Sequence, residues 1–171
     1  MRRLGADFDE FVIGRSPALL RTAMLLTGDR HDAEDLVQSA LLRVARHWSR
    51  ARDNPEAYCR RVLVNLAYDR SRYRKRRPEQ LGPPPDRAAP DHRGELSDER
   101  DDLLRLLRQL PNRQRATVVL RYWEDLSVAE TAQILGCTEG TVKSATSKAL
   151  AHLRGALNPE LIHSIGDNHA Q

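Results

Sequence analysis

The sequence predicts an all-α protein made of two small helical domains joined by a flexible Pro-rich linker, the second domain containing a helix-turn-helix. Apolar residues recur at helical spacing through most of the chain. One stretch breaks this pattern with five prolines and few large apolar side chains. Near the carboxyl end, two helical patterns are separated by a tight turn. The predicted boundaries are 5–77 for the first domain, 78–97 for the linker, 98–157 for the second domain and 158–171 for a tail.

Composition narrows the class of protein. The chain has 171 residues, of which 40% are hydrophobic and 5% aromatic, and a net charge of +4. It contains no apolar run of the ~20 residues that span a membrane and no signal peptide, so we expect a cytoplasmic protein with no membrane contact. Cys59 and Cys137 form no CxxC motif and have no histidine at ligand spacing. We therefore expect no metal, no cofactor and no catalytic residues.

Three helices are predicted in the first half, over 17–26, 32–48 and about 55–76. Phe8, Phe11 and Val12 lead into the first helix. Asp29 is predicted to be the N-cap of the second helix, whose first turn is acidic and so complements the helix dipole. Asn54-Pro55 supplies a cap and a first-turn proline for the third.

In the second half, a Leu-rich helix is predicted to end at Pro111, and Asn112 is predicted to cap the next helix. Ser127 followed by Glu130 fits a capping box, and Gly136 fits a helix C-terminus in the left-handed conformation. Thr138 then begins another helix, whose apolar positions include Val142 and Ala149. This pattern is typical of a helix-turn-helix that binds DNA, although an ordinary helical hairpin shows similar signals.

Two helical segments carry opposite charge. From Arg60 to Arg77 the basic side chains are opposed only by Asp69, which favours contact with phosphates, although a solvated helix end is the alternative. Tyrosines interleave with these arginines and could stack on bases. The segment 32–38 is acidic and could dock on a basic partner, although an acidic first turn alone is ordinary capping.

Together these residues resemble a bacterial RNA polymerase sigma factor of the extracytoplasmic-function (ECF) group, similar to actinobacterial members. The motifs are DAEDLVQSALLRVARHW, then YCRRVLVNLAYDRSRYRKRR, then LPNRQRATVVLRYWEDLSVAETAQILGCTEGTVKSATSKALAHLR after the linker. The resemblance covers about residues 8–157. It implies a protein that confers promoter specificity on core RNA polymerase and initiates transcription of an alternative regulon.

The resemblance also implies roles for particular residues. The segment 32–39 matches the part that binds the clamp of the largest polymerase subunit, 54–77 the helix that reads and opens the −10 element, and 49–54 a loop that captures a flipped base. The predicted polymerase contacts are Asp32, Glu34, Asp35, Leu36, Val37 and Gln38. The predicted −10 contacts are Arg60, Arg61, Asn65, Arg72, Arg74, Lys75 and Arg76. The predicted −35 contacts are Thr141, Lys143, Ser144, Ser147 and Lys148.

This chain departs from relatives at two positions of the expected reading helix. Ala145 replaces a longer side chain found in many relatives, and Ser147 replaces a bulkier side chain found in some. An anti-sigma protein is a further partner that the resemblance suggests. A stand-alone helix-turn-helix regulator, binding palindromic DNA as a dimer, is the main alternative function. A nucleic-acid-processing enzyme is a third, but it would need metal-binding acids or a nucleophile, and the sequence shows neither.

Overall fold

The structure is a computed structural model that describes residues 5–76 and 98–157, and within these ranges the regular elements are helices. Their bounds are α1 Ala6–Thr27, α2 Arg30–Arg46, α3 Trp48–Ala51, α4 Pro55–Arg76, α5 Asp98–Gln109, α6 Asn112–Val118, a π-helical turn Val119–Trp123, α7 Val128–Leu135 and α8 Glu139–Ala156. The all-α prediction is confirmed. Of these helices, none is both long enough and apolar enough to cross a bilayer. The predicted linker 78–97 and tail 158–171 lie outside the described residues.

The first helix is longer than predicted. α1 begins at Ala6, eleven residues before the expected start, and contains Pro17. Proline lacks an N–H and normally interrupts a helix interior. Here the buried residues on both sides of it, Phe8 and Leu19 among them, anchor one continuous helix on the core. Gly28 ends α1 in the left-handed conformation at φ 74°, as its C-cap.

The next helices largely follow the sequence pattern. The Asp29 carboxylate accepts a hydrogen bond from the Asp32 N–H at 2.9 Å, so Asp29 is the N-cap of α2 as predicted. α2 stops at Arg46, and residues from Trp48 form the short α3 instead of a longer α2. Asn54 accepts a hydrogen bond from the Ala57 N–H at 3.2 Å and precedes α4.

The start of α6 differs from the prediction. Asn112 is the first residue of the helix, and Pro111 occupies the cap position without a side-chain hydrogen bond. The prediction that Asn112 is the N-cap is therefore wrong, because its side-chain amide instead donates to the Ser71 hydroxyl of α4. The helix then widens into a π-helical turn that ends at Trp123, and Asp125 reverses the chain with φ 51°.

The helix-turn-helix is confirmed in its local details. The Ser127 hydroxyl accepts from the Glu130 N–H at 3.1 Å, and the Glu130 carboxylate accepts from the Ser127 N–H at 2.8 Å, which completes the capping box. Gly136 has φ 60° and ends α7. The Thr138 hydroxyl accepts from the Thr141 N–H and caps α8. These caps fix the turn that separates α7 from α8.

The two halves of the described chain share one hydrophobic core. Leu36, Leu63 and Val64 form its centre in the first half, and Leu107, Leu110 and Leu120 continue it in the second. We call the interface between the two halves the seam. In it, α1 contacts α5, α6 and the π-helical turn, and α4 contacts α6 and α7. The sequence predicts two domains but does not predict that they pack together.

Candidate nucleic-acid interface

The second half presents the reading face that the spacing predicts on α8. Lys143, Ser144, Ser147 and Lys148 are all exposed, whereas Val142 and Ala149 are completely buried. Positions i, i+1, i+4 and i+5 share one side of a helix, so the four polar side chains form a continuous surface. Their predicted contact with a −35 element remains a prediction.

Two neighbouring residues need a different description. Ala145 is only 9% exposed and faces the core, so it is not a shortened base-reading side chain. Its small size suits close packing of α8 on the rest of the domain. Thr141 is half-buried, and its hydroxyl lies 2.9 Å from that of Thr138 while its N–H is used by the cap. Thr141 is therefore a less available phosphate contact than its position near the helix N-terminus suggests.

α4 carries the candidate −10 surface, and its members differ in accessibility. Arg61 and Asn65 are exposed and lie four residues apart on one side of the helix. The backbone of Arg72, Arg74, Lys75 and Arg76 belongs to α4, but their side chains lie outside the described part of the structure. Tyr68 is not positioned to stack on a base here, because its hydroxyl is buried, and burial raises its pKa to about 12.

Arg60 is the member of the predicted −10 set that the structure encloses. Its side chain is 14% exposed, and its Nε donates to Glu124 Oε2 at 2.8 Å. Its Nη2 also donates to Glu56 Oε1 at 3.1 Å, and Glu56 in turn pairs with Arg15 at 2.7 Å. In this arrangement the Arg60 guanidinium is neutralised by protein carboxylates and is not open to a phosphate.

The predicted flipped-base loop at 49–54 is partly helical, since its first residues belong to α3. Beside it lies an open groove of about 810 Å³ whose lining includes Trp48 and Asn54. Trp48 is held by two aromatic neighbours, with ring centroids 5.1 Å from Phe8 and 5.6 Å from Phe11. The lining of the groove thus includes Phe11 and Trp48 of this aromatic cluster and the turn that precedes α4.

The predicted polymerase-binding segment also needs a correction. Leu36 is completely buried and Val37 is 7% exposed, so the expectation that both present apolar surface to a partner is wrong. Both side chains point into the core, because α2 packs on α1 and α4 over this length. Glu34 and Gln38 are exposed, and Asp35 is half-buried.

A residue that the sequence reasoning missed extends this surface. Leu42 is 55% exposed, one helical turn beyond Gln38. Asp35, Gln38 and Leu42 are spaced three and four residues apart, so they form one stripe along α2. Residues at alternating spacings of three and four form a stripe that can pack against another helix. The signal was available in the sequence, because Leu42 lies outside the apolar positions that face the core.

The seam between the halves is formed by residues that no sequence motif singled out. Arg115 is buried and donates from Nε to Leu107 O at 2.7 Å, from Nη1 to Leu26 O at 2.9 Å and from Nη2 to Arg108 O at 2.9 Å. Nη2 also lies 3.2 Å from Leu110 O. The guanidinium thus binds the carboxyl-terminal carbonyls of α1 and α5, where a positive charge is favourable. Burial and the nearby Arg108 lower the pKa of Arg115.

Further contacts cross the seam. Glu124 follows the π-helical turn and receives hydrogen bonds from Arg60 on one oxygen and from the Thr22 hydroxyl on the other. Arg108 donates to the carbonyl of Gly28. A cavity of about 130 Å³ remains in the seam, lined in part by Tyr68, Arg70 and Asn112. These polar contacts join the two halves in addition to the shared hydrophobic core, and the cavity shows that the interface is not completely filled.

No cluster of three potential metal ligands occurs among the described residues. Cys59 is buried in the first half, and Cys137 is half-buried at the turn before α8. Burial raises the pKa of the Cys59 thiol to about 12.

Comparison with known proteins identifies the class. A model of sigma-70 region 2 matches residues 13–77, and a model of sigma-70 region 4 matches residues 100–153. An RNA polymerase sigma-E factor of Streptomyces avermitilis is 41% identical over 153 residues, which cover 88% of this chain and 85% of that protein. The ECF RNA polymerase sigma factor SigM of Mycobacterium tuberculosis is 34% identical over 160 residues, covering 88% of this chain and 79% of that protein.

Solved structures agree in fold. The sigma factor RpoE of Bartonella quintana, crystallised with the anti-sigma factor NepR, matches with a TM-score of 0.69 and 28% identity over 90% of this chain and 98% of that one. CnrH, in complex with the cytosolic domain of CnrY, matches with a TM-score of 0.63 at 24% identity and supports the fold alone. The chain belongs to the sigma-70 family of RNA polymerase sigma factors. Within that family it is a member of the ECF group.

Proposed function

We propose that this protein binds core RNA polymerase through α2 and directs it to promoters that α4 and α8 read at the −10 and −35 elements. The observation that carries the proposal is the presence of two exposed polar faces, on α4 and α8, in a single chain of the sigma-70 family. The protein itself makes and breaks no bond in this function. It acts where the polymerase and the chromosome are, inside the cell.

The polymerase contact is assigned to the stripe of Asp35, Gln38 and Leu42, with Glu34 beside it. Leu36 and Val37 support this surface from the core and do not touch the partner. Acidic and apolar side chains on one helix suit a basic, helical partner surface such as the polymerase clamp. This contact is assessed by the affinity of the full chain for core polymerase.

Leu42→Asp is expected to lower that affinity by about tenfold or more, because a charge would be buried in the interface. Ile13→Asp is the matched control, since Ile13 is also an exposed apolar residue of a first-half helix, at 79% exposure. It should leave the affinity unchanged. Equal effects of the two substitutions would contradict the assignment to α2.

The promoter contact is tested by run-off transcription with core polymerase. Lys143→Ala combined with Lys148→Ala removes two cations from the α8 reading face, and we expect lower transcription and a salt dependence of DNA binding reduced by about two units of slope. Arg154→Ala is the control, because Arg154 is exposed in the last turn of the same helix. Transcription that was insensitive to the double substitution would contradict a reading role for this face.

The stand-alone regulator is distinguished by the same reagents. A regulator binds its site specifically without polymerase, whereas the proposed factor needs the core enzyme to select a promoter. A gel shift with protein alone, core alone and both together separates the two functions. Specific binding by the protein alone, with no effect on the core, would contradict the proposed function.

An anti-sigma protein is a further proposed partner. The support is the similarity to RpoE, whose structure was solved in complex with the anti-sigma factor NepR. Affinity purification from the source bacterium, followed by a run-off assay with the co-purified protein added, tests the proposal. We expect that an anti-sigma partner lowers transcription in proportion to its concentration.

A further inference from the structure

The cavity in the seam has a polar lining. Its volume of about 130 Å³ is several times the share of about 30 Å³ that one molecule takes in liquid water. The polar residues of its lining include Tyr68, Arg70, Asn112 and Arg115. Cavities that stay dry in proteins are apolar, whereas a polar cavity of this size accommodates a polar ligand. We call this space the seam cavity, and its side chains determine which ligand fits.

Tyr68 supplies the first donor. Its hydroxyl is buried and has no hydrogen-bond partner among the described residues. A buried hydroxyl without a partner is unfavourable, so a ligand that bonds to it relieves that cost. Burial raises the pKa of Tyr68 to about 12, and the phenol therefore stays protonated at neutral pH. Because Tyr68 lines the seam cavity, its O–H can donate to a ligand there.

Asn112 and Arg115 carry more donors than their bonds within the protein use. The Arg115 guanidinium makes four hydrogen bonds to backbone carbonyls, and a guanidinium has five N–H groups. The Asn112 amide donates one N–H to the Ser71 hydroxyl and has a second. The seam cavity therefore offers a ligand donors from α6 as well as from α4.

Positive charge exceeds negative charge around the seam cavity. Arg70 and Arg115 are cationic, and Asp32 is the acidic residue among the described residues of the lining. Arg70 donates to the Asp32 carbonyl at 3.2 Å and to the Ser39 hydroxyl at 3.3 Å, and these acceptors are neutral and distant. Burial and the nearby Arg108 lower the pKa of Arg115, which shows that a further cation is unfavourable here. An anion would be attracted to the same place.

We propose that the seam cavity binds a small tetrahedral oxyanion, of the class of inorganic phosphate or sulfate. Its donors are Tyr68 and Arg70 from α4 and Asn112 and Arg115 from α6. Such an ion accepts hydrogen bonds on all sides, and its bonds to guanidinium groups are charge-assisted. A cation would be repelled by the two guanidinium groups, and an apolar molecule would leave the donors unpaired. The site goes beyond the proposed function, since none of its four donors is a predicted DNA or polymerase contact.

Isothermal titration calorimetry of the full chain with inorganic phosphate tests the site, with the ionic strength held constant by sodium chloride. We expect saturable binding of phosphate. Tyr68→Phe should weaken this binding by about tenfold, because it removes a donor to a charged acceptor and keeps the ring. Tyr122→Phe is the matched control, since Tyr122 is 58% exposed and lies outside the cavity lining. It should leave the affinity unchanged.

Exposed basic residues also attract phosphate, and two comparisons separate them from the seam cavity. Pyrophosphate carries more charge than phosphate but is larger, so exposed cations should favour pyrophosphate and the seam cavity should favour phosphate. Lys143→Ala combined with Lys148→Ala should weaken binding of a duplex oligonucleotide and leave phosphate affinity unchanged. Tyr68→Phe should have the opposite pattern, which distinguishes a free oxyanion from the phosphates of DNA.

Asn112→Ala removes a donor of α6 and decides the matter should Tyr68→Phe fail to fold by circular dichroism. Selective loss of phosphate affinity in these two variants, with phosphate favoured over pyrophosphate, would support the site. Phosphate binding that is lost in the α8 double variant, or that is weaker than pyrophosphate binding, would place the ion on the exposed surface and overturn the proposal. The absence of saturable binding, or equal losses in Tyr68→Phe and Tyr122→Phe, would also overturn it.

Discussion

At the scale of single residues, Arg115 determines how the second half is attached. Its guanidinium binds carbonyls at the ends of two helices, one from each half. Carbonyls in the last turn of a helix lack the regular partner four residues later, and the contacts of the guanidinium with Leu26 O and Leu107 O are buried. A single buried cation therefore satisfies groups that would otherwise be unfavourable in the core, and the local net charge it adds is balanced by helix dipoles.

Arg115→Met is expected to lower the free energy of unfolding by about 3 kcal/mol or more, because several buried carbonyls lose their donor. Urea denaturation of the full chain measures the change. Arg113→Met is the control, since Arg113 is exposed two residues earlier in the same helix. A loss below about 1 kcal/mol for Arg115→Met would show that water replaces the guanidinium and that Arg115 is not needed to hold the two halves together.

The two cysteines should differ in reactivity. The Cys59 thiol is completely buried with a pKa raised to about 12, so it remains protonated in the folded protein at neutral pH. Cys137 is half-buried at the turn before α8. We expect the Cys137 thiol to react quickly with a disulfide reagent and the Cys59 thiol to react only upon unfolding. The absorbance of the released reagent follows both reactions. Two fast thiols in the native protein would contradict the described burial.

The raised pKa of Cys59 has a consequence for stability. The thiol ionises more readily in the unfolded chain, where its pKa is near the ordinary value of 9.0, than in the folded one. Its contribution is therefore fully present below about pH 9 and is lost as pH rises toward 12. Cys59→Ala should flatten the fall in the free energy of unfolding over this alkaline range, as measured by urea titrations at several pH values.

At the scale of the elements, the turn between α7 and α8 depends on Gly136. Its φ of 60° is strained for any residue with a Cβ, although the space around it is open. Gly136→Ala should lower the free energy of unfolding by about 1 kcal/mol through backbone strain alone. Gly140→Ala, in the first turn of α8 with a nearest atom at 3.8 Å, should leave it unchanged or raise it slightly. Urea denaturation of the two variants separates the effect of the positive φ at Gly136 from the general effect of replacing a glycine by alanine.

The sequence predicted the ends of helices correctly where the capping residues lie a few positions from the groups they cap. The capping box at Ser127, the cap at Asp29 and the left-handed Gly136 depend on residues a few positions apart, and all three are confirmed. The failures involve tertiary contacts. Helix α1 continues through Pro17 because its flanking residues are buried, and Asn112 gives up its cap role to reach Ser71. A local pattern carries no information on such partners.

The same division holds for the candidate site. Helical spacing predicted the exposed face of α8, because periodicity alone separates Lys143 and Ser147 from Val142. It did not predict that Arg60 is enclosed, since its partner Glu124 lies 64 positions away. Leu36 and Val37 were assigned to the polymerase contact by the resemblance and not by spacing, and their burial shows that a match to a whole segment does not separate the side of the helix that faces the core from the side that faces a partner.

At the scale of the whole molecule, a shared core predicts shared unfolding. Trp48 lies in the first half and Trp123 in the second, and these are the two tryptophans of the chain. Trp123→Phe and Trp48→Phe proteins therefore report on one half each by fluorescence. We expect coincident urea transitions for the two halves, because buried leucines of both form one cluster. Two separated midpoints would show that each half unfolds alone.

The core shared by the two halves also bears on how long the protein survives in the cell. A protease cleaves a segment when it is unfolded, and buried leucines of both halves belong to one cluster. Neither half can therefore unfold without loss of the packing that supports the other. The lifetime of the protein then follows the global free energy of unfolding, so a destabilising substitution in one half exposes both halves to degradation.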